Sequence, residues 1–377
     1  MEILSPSRFT AVLVKEFIQM RRDRMTFAMM IAIPIVQLML FGFAINSDPK
    51  HLPTLVEMND TGPVTRAVVA AMKNSTYFHF AGISSGPKAS EEALKTGKAT
   101  FVVVVPSGFE RDIMRGSHPT ILLAADASDP AATGGAAAAL PGIVAAALRT
   151  VATGPLSMLK GGEDAFSVTV HRHYNPAGVT SFNIVPGLLA VILSMTMVMI
   201  TAIAIVRESE RGTMESLIAT PVRPAEVMIG KILPYVGIGY VQTVVFLILA
   251  EIVFGVPFDG SSIAFLLGLN VFIVVNLALG FLFSTVARSQ MQAMQMSFFY
   301  MLPSILLSGF MFPFAGMPGW AQTLGTAIPS THFIRIVRKV MLKGAGVSEI
   351  MPDMAALGII MAVIVTIALL RYRQTLD

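Results

Sequence analysis

FNIVPGLLAVILSMTMVMITAIAIV, residues 182–206, runs without interruption into RESERGTMESLIATPVRPAEVMIGK, residues 207–231. The first block has no Asp, Glu, Lys or Arg, while the second has eight of them. An uncharged run of this length suits a helix crossing the roughly 30 Å of bilayer hydrocarbon, which takes about 20 apolar residues. The abrupt return of charge marks where that helix leaves the lipid. Another apolar run starts at Ile232, so the charged block is a short connection between two spans.

Working outward, five further stretches have the same character: Phe27–Ile45, Ile232–Ala250, Ile263–Val286, Met291–Ala315 and Met354–Leu370. The whole composition agrees. The chain has 377 residues, 54% hydrophobic and 13% charged, with a mean hydropathy of +0.70. Soluble domains carry about a quarter charged residues, so lipid is expected to replace water over much of this surface. There is no cysteine, which excludes a disulfide scaffold and thiolate metal sites. A net charge of +4 does not call for nucleic acid. Basic residues before the first span are spread out and no small-residue cleavage site follows, so that span reads as a retained anchor.

The distribution of Lys and Arg sets the orientation. Arg21, Arg22 and Arg24 precede the first span; Arg207, Arg211, Arg223 and Lys231 fill the 207–231 loop. Arg288 separates the fourth and fifth spans, and Arg371 and Arg373 follow the sixth, whereas Glu251–Ser262 has no basic residue. Both termini are therefore expected in the cytoplasm. Arg335, Arg338, Lys339 and Lys343 conflict with this pattern, since they fall in a loop assigned to the outside. A re-entrant or interfacial helix would accommodate them.

Between the first two spans lies a segment of ordinary soluble composition, residues 46–181, expected outside the membrane. Its eleven acidic and eleven basic residues balance, so a charged polymer is not its expected partner. Strand-like runs occur at Leu52–Glu57, Tyr77–Ile83, Phe101–Val105, Thr120–Ala125 and Phe166–His173. Helix-like runs follow Asn59–Pro63, occupy Ser90–Thr96 with Ser90 as N-cap, cover Ser107–Arg115, and extend from Pro130 to Leu159. The β-branched FVVVV of residues 101–105 reads as a central strand. The expected fold class is thus a polytopic α-helical membrane protein of six transmembrane helices with an inserted α/β periplasmic domain.

Catalytic chemistry is not apparent. His171 and His173 alternate along a strand and are expected as exposed neighbours rather than metal ligands. Asp126 and Asp129 stand where helix-capping aspartates are common, and no triad or carboxylate pair has motif spacing. The phosphate-binding pattern G-x-x-x-x-G-K-[ST] is missing, because Gly97-Lys98 precedes Ala99 and Gly230-Lys231 precedes Ile232. No catalytic residue and no metal site is assigned, and the chain is expected not to be an enzyme.

Within 207–231, paired charges such as Glu208–Arg211 favour a short helix. Thr220-Pro221 breaks it, and Pro224-Ala225-Glu226 starts a second helix running into the membrane. The pattern RE-x-E-x-GT-x-E-x-L-x-x-TP-V-x-x-x-E-x-x-x-GK resembles the loop after the second span of ABC-2-type transporter permeases. The approach Tyr174-Asn175-Pro176, the run Pro329–Phe333 and the terminal Ala-Leu-Leu-Arg-Tyr-Arg extend the resemblance over nearly the whole chain. They are similar to the subgroup with a large periplasmic domain.

The resemblance implies residue roles. Arg207, Glu208, Glu210, Arg211, Gly212, Thr213 and Glu215 would form the loop that couples to an ATPase. Residues 1–26 would carry a cytoplasmic interfacial helix, with Phe9, Val12, Leu13, Phe17 and Met20 on its apolar side. Residues 316–353 would form an external re-entrant region before the last span, 354–370. Partners implied are an ABC ATPase subunit supplying ATP and Mg, a second permease chain, identical or different, and a periplasmic membrane-fusion adaptor. The location implied is the bacterial inner membrane.

No expected span holds a charge at its centre, which points to a hydrophobic or amphiphilic small molecule, as in drug efflux, rather than a small ion. Gln37, Asn183, Gln242, Asn276, Gln292 and Gln295, together with Asn270, are candidates for lining a pathway, although such side chains more often join helices by hydrogen bonds. Methionines of the second and fifth spans suit adaptable apolar surfaces. Two other readings stay open: a lipid or polysaccharide export permease, and a membrane sensor or assembly factor whose external domain binds a ligand or protein.

Overall fold

The computed structural model describes residues 50–151, 166–210 and 224–371. The expected first span 27–45, the interfacial segment before it and residues 211–223 lie outside that set.

The α/β unit starts with strand β1, Leu52–Met58, then helix α1, Pro63–Asn74, strand β2, Phe78–Ile83, and helix α2, Pro87–Thr96. Strand β3, Phe101–Val105, a short helix α3, Phe109–Met114, strand β4, Thr120–Asp126, helix α4, Pro130–Val151, and strand β5, Ser167–His173, complete it. The sheet order is β2-β1-β3-β4-β5. β1 runs parallel to β2 and β3, β3 antiparallel to β4, and β4 parallel to β5.

The expected central strand is central because Val, with its stiff branched side chain, packs well on both faces of a pleated sheet. Phe101, Val103 and Val105 enter the core beneath α1 and α4. Val102 turns the other way to meet Leu94 of α2. Helix α1 starts at Pro63, whose fixed φ suits a first turn. Asp60 ties this start to α3, accepting from the amides of Gly62 at 2.7 Å and Glu110 at 3.3 Å.

One expectation changes here. Helix α2 begins three residues before Ser90, with Gly86 as its N-cap. Ser90 is buried instead, donating to Glu57 Oε2 at 2.9 Å, because Pro87 supplies the helix start. Helix α4 is also long and apolar enough to cross a membrane over Ala132–Val151. Yet its stripe of Ala136, Leu140, Val144 and Leu148 is buried in the sheet core. A four-residue repeat places those side chains on one face, so α4 is a layer of the α/β unit.

The helical unit comprises α5, Thr180–Glu210; α6, Pro224–Phe254; α7, Ser262–Ser284; and α8, Gln290–Leu307. A 3₁₀ turn at Phe314–Gly316 leads to α9, Gly319–Thr326, α10, Pro329–Lys343, and α11, Val347–Arg371. Of the expected spans, α5, α6, α7 and α11 are long and apolar enough to cross a membrane. The expected span 291–315 is shorter: α8 has 18 residues and stops at Leu307. Gly309, at φ +81°, and the turns that follow divert the chain. The last span begins earlier than expected, at Val347 rather than residue 354, and so takes in Asp353.

Close packing of the helices depends on small residues, as it does where lipid supplies no hydrophobic drive between helices. A Cβ at Gly280 of α7 would lie 2.5 Å from the Val198 carbonyl oxygen of α5. On α6, Val241, Val245, Ile248 and Ile252 are exposed, a face suited to lipid or to a second chain.

The chain reaches α5 from the sheet through a turn closed by Asn175. Its side chain accepts from the Val179 amide at 2.9 Å and donates to the Val179 carbonyl at 3.0 Å. α5 then runs 31 residues, about 46 Å at the helical rise of 1.5 Å per residue. It ends at Glu210, which accepts from the Gln290 amide at the start of α8 at 2.9 Å. The start of α7 lies back at the sheet side, where Ser261 N donates to the Ala345 carbonyl at 3.1 Å. Residues 207–210 therefore emerge on the face of the helical unit remote from the sheet.

Candidate functional site

Helices α9 and α10 form a hairpin among the longer helices. Pro329 opens α10 and Gly344, left-handed at φ +61°, closes it. Its apolar residues are almost all buried: Phe333 stacks on Phe272 of α7 with ring centres 4.1 Å apart. Ile336 occupies the space left by Gly268, where a Cβ would come within 2.8 Å. Ser330 accepts from Ser304 of α8 at 3.0 Å.

The other side of α10 carries the basic residues that did not fit the expected topology. Each finds compensation. Lys339 Nζ lies 2.8 Å from Asp353 Oδ2, and Arg335 lies 3.8 Å from the same carboxylate. His332 Nδ1 is 3.4 Å from Asp353 Oδ1 and its Nε2 is 2.9 Å from the Thr326 carbonyl. Arg335 also sits over the Phe314 ring at 4.3 Å. Arg338 donates to the carbonyls of Gly309 at 3.0 Å and Asn183 at 3.4 Å. Ion pairing and hydrogen bonds of this kind are the condition for keeping charges out of water.

The same helix fastens the two units together. Lys343 donates to the Leu94 carbonyl of α2 at 3.1 Å and pairs with Asp126 at the end of β4. Lys95 of α2 pairs with Glu349 of α11 at 3.2 Å. Asp129 accepts from Asn183 of α5 at 3.3 Å. Between α2, the Phe314 turn, α10 and α11 an open cavity of about 740 Å³ remains. Tyr174 is packed under Lys343 at 5.4 Å; burial, then the charges of Asp126 and Glu91, push its phenol up to about 12. Burial and the nearby His171 hold His173 below the ordinary histidine value.

The expected coupling residues are only partly placed. Arg207 and Glu210 end α5, whereas Arg211, Gly212, Thr213 and Glu215 lie outside the described residues, and Glu208 is placed by its backbone alone. Glu210 is held below the usual glutamate value by hydrogen bonds from the Gln290 side chain and amide.

Most of the polar side chains named as pathway candidates are engaged in hydrogen bonds among the described residues. Gln242 accepts from Thr196 at 2.8 Å, joining α6 to α5. Asn276 accepts from Ser194 at 2.6 Å, joining α7 to α5, and Asn270 pairs with Tyr240. Gln292 accepts from the Arg288 amide at 2.8 Å, closing the turn before α8. Asn183 serves the junction with the sheet, Gln295 Oε1 is buried without a hydrogen bond among the described residues, and Gln37 lies outside them. Interhelical hydrogen bonding is the visible role of Gln242 and Asn276.

Sequence reasoning missed Asp126 and Asp353 as counter-ions. Asp126 is 217 residues from Lys343, so no local pattern relates them. The one signal available was the surplus of positive charge in 335–343, which required carboxylates from somewhere.

Residues 24–370 match the family model described as ABC-2 family transporter protein. The chain is 28% identical over 346 residues to "Probable multidrug ABC transporter permease YbhS" of Escherichia coli (strain K12), covering 91% of this chain and 90% of that protein. It is 29% identical over 303 residues to "Inner membrane transport permease YhhJ" of the same strain, with 76% of each covered. Similarity of 25% over 341 residues extends to "ABC transporter G family member 20" of Dictyostelium discoideum, covering 88% of this chain and 46% of that protein. No solved structure matches.

Proposed function

The chain belongs to the ABC-2 family of transporter proteins, a multi-pass inner-membrane permease, and from that premise we propose that it is the transmembrane subunit of an ATP-driven exporter. Its cargo is a hydrophobic or amphiphilic small molecule, carried out of the cytoplasm or the inner membrane as in drug efflux. An ABC ATPase grips the 207–231 loop from the cytoplasm, two permease chains, identical or different, form the membrane pathway, and a periplasmic adaptor meets the α/β unit.

The observation that carries this reading is the separation of the two functional ends by α5. Arg207 and Glu210, from the start of the family-like pattern, end α5 about 46 Å along that helix from its start near the sheet, at 1.5 Å per residue. A motor bound there and an adaptor bound at the sheet would occupy opposite faces of the membrane. Hydrogen bonding of Glu210 to Gln290 couples the loop to the start of α8, so a push on the loop reaches a second helix directly. Relatives named as multidrug permeases support the cargo class, as does the lack of charge in the middle of α5, α6 and α7.

The test is co-purification with candidate ATPase subunits and measurement of coupled ATPase activity, comparing the native chain with Glu210→Arg/Glu215→Arg. The expected result is stable association that the double variant loses. An ATPase that binds and works equally well with the variant would remove the loop from the motor contact.

A further inference from the structure

The cavity between α2 and the α10–α11 elbow is lined by an excess of cations. Lys98 comes from the α/β unit and Arg335, Arg338, Lys339 and Lys343 from α10, whereas the carboxylates on its walls are those of Glu92, Glu349 and Asp353. Two of these acids are already engaged. Asp353 is shared among Lys339, Arg335 and His332, and Glu349 is held by Lys95 and Ser348. Lys98 is exposed and has no ion pair among the described residues. Arg338 commits one donor of each terminal nitrogen to a backbone carbonyl, and its Nε is buried without a hydrogen-bond partner among the described residues. Asp126 and Asp129 act on Arg338 electrostatically, but Asp126 is paired with Lys343 and Asp129 accepts from Asn183.

Position narrows the ligand. Arg338 reaches the Asn183 carbonyl in the first turn of α5. Pro352 and Asp353, in the second turn of α11, form another wall. The cavity thus lies level with the mouths of the apolar helices, the depth at which a bilayer places its head groups. Its volume of about 740 Å³ is that of a drug-sized site, typically about 300–1,000 Å³. An anion with several oxygens suits a guanidinium fork combined with point-charge lysines. Basic pockets between membrane helices have this chemistry toward lipid head groups.

We propose that this cavity, with Lys98, Arg335 and Arg338 as its ligand-facing cations, binds a phosphate-bearing group, supplied by a membrane lipid head group. Bound there, a phosphate ester bridges the connection after α2, which carries Lys98, to α10 of the helical unit, adding to the Lys343–Asp126 and Lys95–Glu349 links. The proposal does not rest on the export reading, because it concerns equilibrium binding and needs neither ATPase nor cargo.

The experiment uses the full purified chain in neutral detergent, with dioctanoyl phosphatidic acid as probe and dioctanoylglycerol, the same lipid without its phosphate, as control. Affinities are read by native mass spectrometry or tryptophan-independent calorimetry, and thermal melting checks that each variant is folded. Saturable binding of phosphatidic acid is expected, weakened about tenfold or more by Arg338→Gln, since a charge-assisted hydrogen bond contributes about 1.5–3 kcal/mol and 1.4 kcal/mol is tenfold. Lys98→Gln/Arg335→Gln, at exposed or half-buried positions, should weaken it similarly and carries the test if Arg338→Gln does not fold. Inorganic phosphate separates the sources: failure to displace the lipid at millimolar concentration assigns the site to the lipid head group, and full displacement assigns it to free phosphate as well. Equal affinity for both lipids, or unchanged phosphatidic acid affinity in the folded variants, would overturn the proposal.

Discussion

In the α/β unit the interior polarity is mostly backbone, consumed by the ladder that joins β1 through β5; in the helical unit the backbone is satisfied within each helix and the buried polarity is in side chains. Ser194, Asn276, Ser304 and Ser330 pair across helices, and Asp353 collects three basic side chains of α10. A ladder distributes its polarity over many equivalent bonds. The helical unit concentrates charge at one elbow, so its stability is expected to hinge on single residues there, while the sheet unit should tolerate most single polar changes. That contrast can be broken or sharpened experimentally.

The largest effect is expected from Asp353→Leu. The carboxylate is 5% exposed and its loss leaves Lys339 and Arg335 without a counter-ion. Breaking a buried pair by removing one partner costs about 3–5 kcal/mol. A melting temperature within a degree or two of the native chain would show that the elbow is wetter than its burial indicates.

Next is Gly280→Val, which places side-chain atoms against the Val198 carbonyl. Overpacking of this kind costs about 1–3 kcal/mol, and detergent melting should report it, while proteolytic protection of the sheet unit stays unchanged. Smaller again, and unequal, are the two links between the units. Lys343→Met strands a mostly buried Asp126 and should loosen docking by about 1–3 kcal/mol. Lys95→Ala removes a pair whose side chains are 32% and 21% exposed, which should contribute roughly 1 kcal/mol or less. Hydrogen exchange at α2 would rank them; equal effects would mean the burial of Lys343 counts for nothing.

The smallest effect concerns pH. His173 titrates below its ordinary value of 6.5 in the folded sheet, through burial and the proximity of His171. The unfolded chain therefore takes up a proton first on acidification, and binding more protons when unfolded means stability falls as pH drops below about 6.5. His173→Gln should flatten that slope in a melt series from roughly pH 7.5 to 5.5.

Legibility in the sequence followed the range of the forces involved. FVVVV at 101–105 announces a strand buried on both faces, since alternation is lost only when both faces are covered. Spans 182–206, 232–250 and 263–286 are readable because charge-free length is a local property. Hydropathy misleads where a local property has two causes. Helix α4 is apolar for the sake of a sheet core, not of lipid, and residues 308–315 are apolar but turn. The N-cap expected at Ser90 was displaced because Pro87 and Gly86 outcompete it for the helix start, freeing the hydroxyl for Glu57.

The site was legible only as an anomaly. The positive run 335–343 contradicted the orientation set by the other basic residues, and its partners could not be read because a counter-ion is chosen by proximity in space. Sequence by itself determined the membrane-embedded class, the inserted α/β unit, most helix positions and the family-like loop, all of which depend on the period and composition of contiguous residues. Tertiary structure alone decided which face of α4 packs on the sheet, which helices α10 packs between, and that Asp126 and Asp353 neutralise α10. Those outcomes depend on which surfaces meet, and a Coulomb interaction or a packed face acts across a few ångströms regardless of the 217 residues of chain between Asp126 and Lys343.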